Sequence, residues 1–272
     1  MKKFAATILI LLPFVTFGQL LPKVPEYKGN IKQIVEKRYG KEANFLKLFK
    51  NSYHSGAYSG WKYTYQFDNH SKLISQTNTF KGKVVAETLF QHDKADNRLI
   101  EREITRDKSY SNQENYTEYE NFIGPGNQIE KVNYWAFNSK ESIRQNFLVE
   151  QNVVYKQGKL QTFTRQNISA NGDVASAAEQ CSLYYDSSGK LIRFERKDLE
   201  TGFATILYYY YNNQGLLDHY SVDYLVGLSE YGMKNQTQDV YFKYDKQGNW
   251  IKKYVKSGKK NRLEAKRRIK YF

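Results

Sequence analysis

A short phrase repeated along the chain limits its fold more than any other feature of the sequence. The phrase has an aromatic residue, Asp or Asn, a few polar residues, Gly, a variable residue and an apolar residue, and its clearest copies are residues 185–191, 211–217 and 244–250. Looser copies put the equivalent of this Gly at positions 29, 71, 97, 127 and 158. Each copy lies between segments rich in Tyr, Phe, Val, Ile and Thr. This arrangement predicts one β-hairpin per repeat.

The chemistry of the phrase is that of a tight turn. An Asp or Asn side chain accepts a hydrogen bond from the backbone amide two residues later, and Gly adopts the positive φ that closes many hairpins. Ser71 and Asn97 replace Gly in two copies, and Asn tolerates positive φ better than most residues. We therefore interpret the recurring acidic residues as turn residues rather than as catalytic carboxylates; they are Asp68, Asp93, Asp186 and Asp245.

Other turn-forming segments alternate with the phrase, so each repeat contains two strands. The sequence predicts an all-β fold, an antiparallel meander of about sixteen strands in a single extended or coiled sheet. Residues 41–50 (KEANFLKLFK) have apolar residues at helical spacing and predict a short helix in an insertion. After Gly189, simple alternation places Ile192 and Phe194 on one face of a strand and Leu191 on the other.

Residues 1–18 predict a secretory signal peptide. Lys2 and Lys3 precede an apolar run, residues 4–17, that is shorter than a membrane-spanning helix, and a cleavage site follows between Gly18 and Gln19. Residues 19–272 then form a single β-repeat domain without a transmembrane helix. We expect a secreted, periplasmic or cell-envelope protein, and removal of the two lysines lowers its formal net charge by two from +14.

Composition argues against several classes of function. The single cysteine, Cys181, excludes a disulfide framework and a thiolate metal cluster, and we expect a small buried hydrophobe there. Four scattered histidines provide little material for a metal site or a His-centred triad. The chain also lacks a G-x-S-x-G elbow, a phosphate-binding loop, an H-E-x-x-H motif and a dinucleotide fingerprint. We predict a protein that has no cofactor or metal and is not an enzyme.

The phrases YYDSSGKLIRFER, YYNNQGLLDHY and KYDKQGNWIKK resemble the tyrosine-aspartate (YD) repeats of the Rhs family and of secreted envelope proteins of Gram-negative bacteria. The resemblance extends over most of residues 22–272. In Rhs proteins such repeats build a spiralling β-sheet shell, and they have been linked to carbohydrate binding. The resemblance therefore implies a secreted β-repeat protein, and it supplies no catalytic residue because the repeat itself has none.

The C-terminal strands are unusually basic. Ten basic residues are opposed mainly by Glu264: Lys252, Lys253, Lys256, Lys259, Lys260, Arg262, Lys266, Arg267, Arg268 and Lys270. Such a density attracts polyanions by counterion release. For an exported protein we expect an anionic glycan, another envelope polymer or a protein partner rather than nucleic acid, with Lys266, Arg267 and Arg268 in contact. The alternative is a solvated edge that lysines keep from pairing with other chains.

Two tryptophans, Trp61 and Trp135, are candidate stacking platforms for sugar rings. Trp250 stands instead at the apolar position of its repeat, where packing explains it better. These assignments complete the favoured prediction, a non-enzymatic binding protein of the envelope.

Three other functions remain open. A glycan-cleaving enzyme needs two carboxylates, and Glu101 with Glu103, or Glu118 with Glu120, would stand about 7 Å apart on one face of a strand. A signal peptide, many strands and an aromatic C terminus are typical of an outer-membrane β-barrel, although both faces of residues 98–105 carry charge where lipid requires an apolar band. A purely structural scaffold is the third.

Overall fold

The computed structural model of the chain describes residues 28–39, 60–95, 98–107, 113–138, 143–169, 172–226, 236–257 and 260–272. The predicted signal peptide (1–18) and the predicted helix (41–50) lie outside these residues. The described part contains sixteen strands. They are β1 (Ile31–Arg38), β2 (Trp61–Phe67), β3 (Leu73–Phe80), β4 (Lys83–Ala95), β5 (Arg98–Asp107), β6 (Gln113–Ile123), β7 (Ile129–Asn138), β8 (Ile143–Lys156), β9 (Lys159–Asn167), β10 (Glu179–Tyr185), β11 (Leu191–Asp198), β12 (Ala204–Tyr211), β13 (Leu217–Val226), β14 (Gln236–Tyr244), β15 (Trp250–Ser257) and β16 (Lys260–Tyr271).

The sheet closes into a barrel. Every strand pairs antiparallel with its neighbours in sequence, and β1 also pairs with β16, with Ile34 opposite Ile269 and Arg38 opposite Ala265. The predicted all-β meander of sixteen strands is confirmed. The predicted extended or coiled sheet is wrong, because β1 pairs with β16, a junction called the seam below, and none of the sixteen described strands lies at the edge of the sheet.

The repeated phrase forms the turns at one end of this barrel. Seven of its eight marker positions are described, and all seven have positive φ: Gly29 (76°), Ser71 (60°), Asn127 (60°), Gly158 (73°), Gly189 (85°), Gly215 (74°) and Gly248 (85°). The Oδ1 atom of Asp186 accepts a hydrogen bond from the amide of Lys190 at 2.9 Å, and Asp245 Oδ1 accepts from the amides of Gln247 and Asn249. The predicted turn role is confirmed for Asp186 and Asp245. For Asp93 it is wrong, because Asp93 lies within β4, opposite Ile100 on β5, and forms an ion pair with Arg102.

A β-bulge follows each of these turns and decides which residues face inward. Tyr185 pairs with Leu191, but Tyr184 pairs with Arg193, so Ile192 is an extra residue on β11. Leu191 and Phe194 are therefore both buried inside the barrel, while Ile192 is 40% exposed. The face predicted for Ile192 from simple alternation is wrong, because the bulge shifts the alternation by one residue.

Apolar side chains concentrate on the inner face. On β10, Cys181 and Leu183 are buried inside, whereas Tyr184 lies outside and is 42% exposed. The main core runs along the inner face from β6 to β16, and a smaller cluster of Ile31, Ile34 and Phe67 lies on β1 and β2. The predicted burial of Cys181 is confirmed, and burial raises the pKa of its thiol to about 12.

Tyrosines of the phrase link one repeat to the next. The hydroxyl of Tyr211 donates to the carbonyl of Leu191 at 2.8 Å, that of Tyr155 donates to Ile129, and that of Tyr244 donates to Leu217. In each case the acceptor is the apolar residue of the preceding repeat. The repeats are thus joined through half-buried tyrosine side chains as well as through strand pairing.

Asn249 makes the corresponding link across the seam. Its side-chain oxygen accepts from the amide of Lys28 at 2.7 Å, and its side-chain nitrogen donates to the carbonyl of Lys28 at 2.6 Å and to the hydroxyl of Tyr271 at 2.8 Å. The Tyr271 hydroxyl donates in turn to Asp245. The first and last copies of the phrase therefore meet at the seam.

Candidate functional site

The basic strand β16 presents its charges to both sides of the wall. Lys266 and Arg268 are exposed on the outer face, whereas Ala265 is buried and Arg267 points inward, its side chain 9% exposed. Alternation along the strand produces this division. The three residues predicted as one contact, Lys266, Arg267 and Arg268, therefore belong to two different surfaces.

On the outer face, Lys266 belongs to a line of lysines that crosses five strands. It lies directly opposite Lys37 on β1 and Lys252 on β15. Lys37 is opposite Lys62 on β2, and Lys252 is opposite Lys243 on β14. We call these five residues the lysine row. Because neighbouring strands are about 4.8 Å apart, the row is about 19 Å long.

No acidic side chain of the described residues forms an ion pair with the lysine row. Lys37, Lys243 and Lys266 are exposed. A shallow depression of about 50 Å³ lies beside the row, lined by Val35, Lys37, Tyr39, Lys266 and Arg268. Like charges directly opposite each other on adjacent strands repel, so the row lowers the stability of the sheet that carries it.

On the inner face, Arg267 belongs to a buried charge cluster at the seam. Its Nε and Nη2 atoms lie 2.9 Å from Glu36 Oε2, and Arg38 Nε lies 2.9 Å from Glu36 Oε1. The guanidinium of Arg267 also stacks on the Trp250 ring at 3.5 Å. Trp250 is 7% exposed, so its predicted packing role is confirmed. We call Glu36, Arg38, Lys253, Glu264 and Arg267 the inner charge cluster.

Opposite charges keep this cluster ionised despite burial. Burial disfavours the Glu36 carboxylate, but Arg267 and Arg38 outweigh that effect and hold the pKa of Glu36 below its usual value. Burial likewise disfavours the ammonium of Lys253, yet Tyr220 and Glu264 outweigh it and raise the pKa of Lys253. Lys253 Nζ lies 2.8 Å from Glu264 Oε2.

The cluster borders a cavity of about 110 Å³, which Tyr65, Trp250 and Ala265 also line. The charged groups of the cluster form ion pairs with one another, and these pairs connect β1, β15 and β16 from inside the barrel. This arrangement stabilises the seam and offers no nucleophile with an adjacent general base.

The two predicted stacking platforms lie on opposite faces of the wall. Trp61 is on the inner face of β2, its ring stacked on Tyr63 at 6.0 Å and in contact with Phe80 at 5.3 Å. Trp135 is on the outer face of β7, where the guanidinium of Arg144 covers its ring at 3.9 Å. The structure therefore does not bring the two tryptophans together.

The carboxylates of the enzyme alternative are engaged with neighbouring groups. Glu118 forms ion pairs with Arg102 and Arg144, and Glu120 accepts hydrogen bonds from Asn133 and Trp135. Glu101 and Glu103 lie on the inner face, near the hydroxyl of Tyr119, whose pKa is raised by burial and by these carboxylates. Within the described ranges, His, Cys, Asp and Glu nowhere form a group of three that could hold a metal ion.

No helix within the described residues is long and apolar enough to cross a bilayer. The chain matches no protein-family model and no curated protein. One similar solved structure is a porin-like protein from Bacteroides uniformis, which is 9% identical, with 90% of this chain and 99% of that chain covered and a TM-score of 0.47. A similarity this low assigns no function to the chain.

The resemblance to YD repeats of the Rhs family is wrong. No family model supports it, and the repeats close into a sixteen-strand barrel instead of a spiralling shell. The resemblance arose from the turn residues alone, because the same Asx turn and positive-φ Gly occur in hairpins of many unrelated β-proteins. The closed barrel fits the outer-membrane β-barrel alternative better than it fits an open repeat sheet.

Proposed function

We propose that the chain is a non-enzymatic barrel of the cell envelope whose wall is surrounded by water and whose basic outer face binds an anionic polymer. The signal peptide predicted for residues 1–18 supports export, and the closed barrel supports an envelope protein. The basic outer face supports a polyanionic partner.

The distribution of polar and apolar side chains between the two faces carries the proposal. Inner positions hold Phe163 and Val240, both almost fully buried, whereas the outer positions of β2 are Lys62, Thr64 and Gln66. A barrel in lipid has the opposite pattern, with an apolar band about 25 Å tall on the outside. Charged residues at the bilayer midplane cost roughly 2–4 kcal/mol each. The outer face therefore favours water.

Net charge and its placement favour a polyanionic partner. The chain has 42 basic and 28 acidic residues, and the exposed Arg268 and Lys270 add to the lysine row on the same outer face. A surface of this sign raises the local concentration of anionic polymers and speeds their association. The binding should weaken as salt rises.

An outer-membrane barrel is the second candidate, and one observation favours it. An even number of antiparallel strands, each paired with its sequence neighbours and closed into a barrel, is the architecture of bacterial outer-membrane proteins. In that case the outer face would contact lipid, and the charges of the lysine row would have to lie outside the hydrocarbon region.

Fractionation of host cells separates the two candidates. We expect the protein in the soluble periplasmic or extracellular fraction, and monodisperse after purification without detergent. Recovery in outer membranes that resist alkaline extraction, together with heat-modifiable migration in gels, would support the second candidate instead.

A binding screen tests the partner. Purified protein is mixed with acidic polysaccharides, lipopolysaccharide and neutral dextran at low and at raised salt, and each binding polymer is analysed for cleavage products. We expect salt-sensitive binding of the anionic polymers without cleavage. Cleavage would favour the glycan-cleaving alternative, and binding that is insensitive to salt would contradict the electrostatic mechanism.

A further inference from the structure

We propose that the lysine row is the binding site of an acidic polysaccharide chain that lies across the strands and passes over the seam. This inference rests on the proposed function and goes further by naming the residues, the ligand class and its direction. The row joins residues that are distant in sequence, Lys37 and Lys62 near the N terminus and Lys243, Lys252 and Lys266 near the C terminus.

Several charged groups elsewhere on the outer face form ion pairs, whereas the lysines of this row form none with the acidic side chains of the described residues. Arg102 lies between Asp93 and Glu118, at 2.5 Å and 2.7 Å, and Lys256 is 3.6 Å from Asp239. In the lysine row, by contrast, each lysine lies directly opposite another lysine on the adjacent strand, which makes four successive lysine–lysine pairs. Such an arrangement costs stability in the free protein, and a bound anionic chain removes that cost.

The geometry fits a chain that runs perpendicular to the strands. The backbones of the five lysines follow one another at the strand spacing of about 4.8 Å, which suits a linear polymer with one negative charge on each sugar ring. Along β16, by contrast, Lys266, Arg268 and Lys270 are only three cations at a spacing of about 6.6 Å. The row is therefore the longer and denser line of positive charge.

Aromatic rings beside the row favour a polysaccharide over an inorganic polyanion. Tyr241 and Tyr254 lie opposite each other on the outer face of β14 and β15. Each is two residues along its strand from a lysine of the row, Lys243 on β14 and Lys252 on β15. At the other side, Tyr39 is 41% exposed in the depression next to Lys37. Aromatic side chains offer apolar contact to the C–H groups of sugar rings, which polyphosphate lacks.

The test compares two quadruple variants that remove the same charge. The row variant carries Lys→Gln at Lys37, Lys62, Lys243 and Lys252. The control variant carries Lys→Gln at four exposed lysines outside the row, Lys72, Lys83, Lys197 and Lys246. Affinity for polygalacturonate, polyphosphate and dextran is measured over a range of salt concentrations, and circular dichroism checks that each variant folds.

We expect the wild type to bind polygalacturonate with a slope of log affinity against log salt of about −4, from five contacts at about 0.7–0.9 each. The row variant should retain a slope of about −1 and bind at least about tenfold more weakly, while the affinity of the control variant stays within about threefold of that of the wild type. Polyphosphate should bind more weakly than polygalacturonate, and dextran should not bind.

A single charge reversal provides an independent check. Lys266→Glu places a carboxylate between Lys37 and Lys252, so we expect a higher Tm together with weaker polygalacturonate binding. Because this variant gains stability, lost binding cannot be ascribed to unfolding. Affinity for polygalacturonate equal to that of the wild type would overturn the assignment of the lysine row as the binding site.

The other outcomes separate this inference from the proposed function. Equal losses in the row and control variants would overturn the lysine row while leaving polyanion binding intact. Polyphosphate binding as tight as polygalacturonate binding, with the same dependence on the row, would overturn the polysaccharide assignment. If the wild type binds no polyanion at low salt, the proposed function fails and this inference fails with it.

Discussion

Glu36 shows how single residues secure the seam from inside the barrel. Its side chain is 3% exposed, and both of its oxygens face guanidinium groups. The folded-state pKa is lower than the usual 4.5, so its ion pairs contribute stability above that pH. This contribution is lost as pH falls through the lowered folded-state pKa.

We predict that Glu36→Gln destabilises the barrel by about 3 kcal/mol at neutral pH, because Arg267 stays buried without its anion. The difference from wild type should shrink as pH falls from 4.5, where the carboxylate of the unfolded wild-type chain takes up a proton, through the lower folded-state pKa. Urea unfolding at several pH values measures this, with the exposed Glu200→Gln as control. A difference that does not depend on pH would contradict the assigned role.

Gly158 tests the turn geometry without a steric complication. Its φ is +73°, and a Cβ atom at this position would meet no atom within 4 Å. We predict that Gly158→Ala costs about 1 kcal/mol of unfolding free energy through backbone strain alone, and that Gly158→Asn costs less. Equal stability of all three proteins in urea would show that the positive φ is not required.

At the scale of elements, the seam depends on contacts that no single hairpin contains. Asn249 is 2% exposed and makes three hydrogen bonds that join β16 and the residues before β1 to the last turn. We predict that Asn249→Ala lowers stability by roughly 2–4 kcal/mol, since each bond contributes about 1 kcal/mol and buried partners lose theirs.

Tyr211→Phe is the matched control for this variant. It removes one hydroxyl bond between two internal repeats and should cost only about 1 kcal/mol. Both variants are compared by urea unfolding. If Asn249→Ala costs no more than Tyr211→Phe, the seam does not depend on the Asn249 bonds.

The hairpins could be predicted from the sequence, whereas their closure could not. Turn residues such as Asp186 and Gly189 act within a few residues of chain, so their chemistry is visible in the sequence. Closure depends on twist and stagger accumulated over sixteen strands, and on bulges such as the one at Ile192. Those quantities arise from pairing, which local patterns do not specify.

Part of the candidate site could likewise be predicted from the sequence, and part of it could not. Lys266 and Arg268 stood out as part of a basic segment, and the structure exposes both. The division of Arg267 from them follows from alternation and could have been predicted from the segment alone. The lysine row could not, because Lys37 and Lys62 become neighbours of Lys266 only once the seam forms.

At the scale of the whole molecule, charge and stability are coupled. The lysine row contains four adjacent like-charged pairs, each of which costs about 0.2–1 kcal/mol. We predict that the Tm rises as sodium chloride is raised from about 10 mM to about 150 mM, because the Debye length falls from about 30 Å to about 8 Å.

The two quadruple variants again provide the comparison. The row variant should have a higher Tm at low salt and a smaller increase with salt, while the control variant should respond as the wild type does. Differential scanning calorimetry measures both. If the Tm of the row variant rises with salt as much as that of the wild type, the charge repulsion comes from other parts of the surface.

The seam also sets the order in which the molecule can be assembled. Every other strand pairs with a neighbour made just before or after it, but Ile31 must wait for Tyr271, which is synthesised 240 residues later. Local hairpins form quickly, whereas joining distant ends is entropically expensive and slow. Until β16 emerges from the ribosome, the nascent sheet has two open edges, each able to capture a second chain. A chain that stops before residue 260 keeps those edges permanently and is a ready substrate for strand exchange and aggregation.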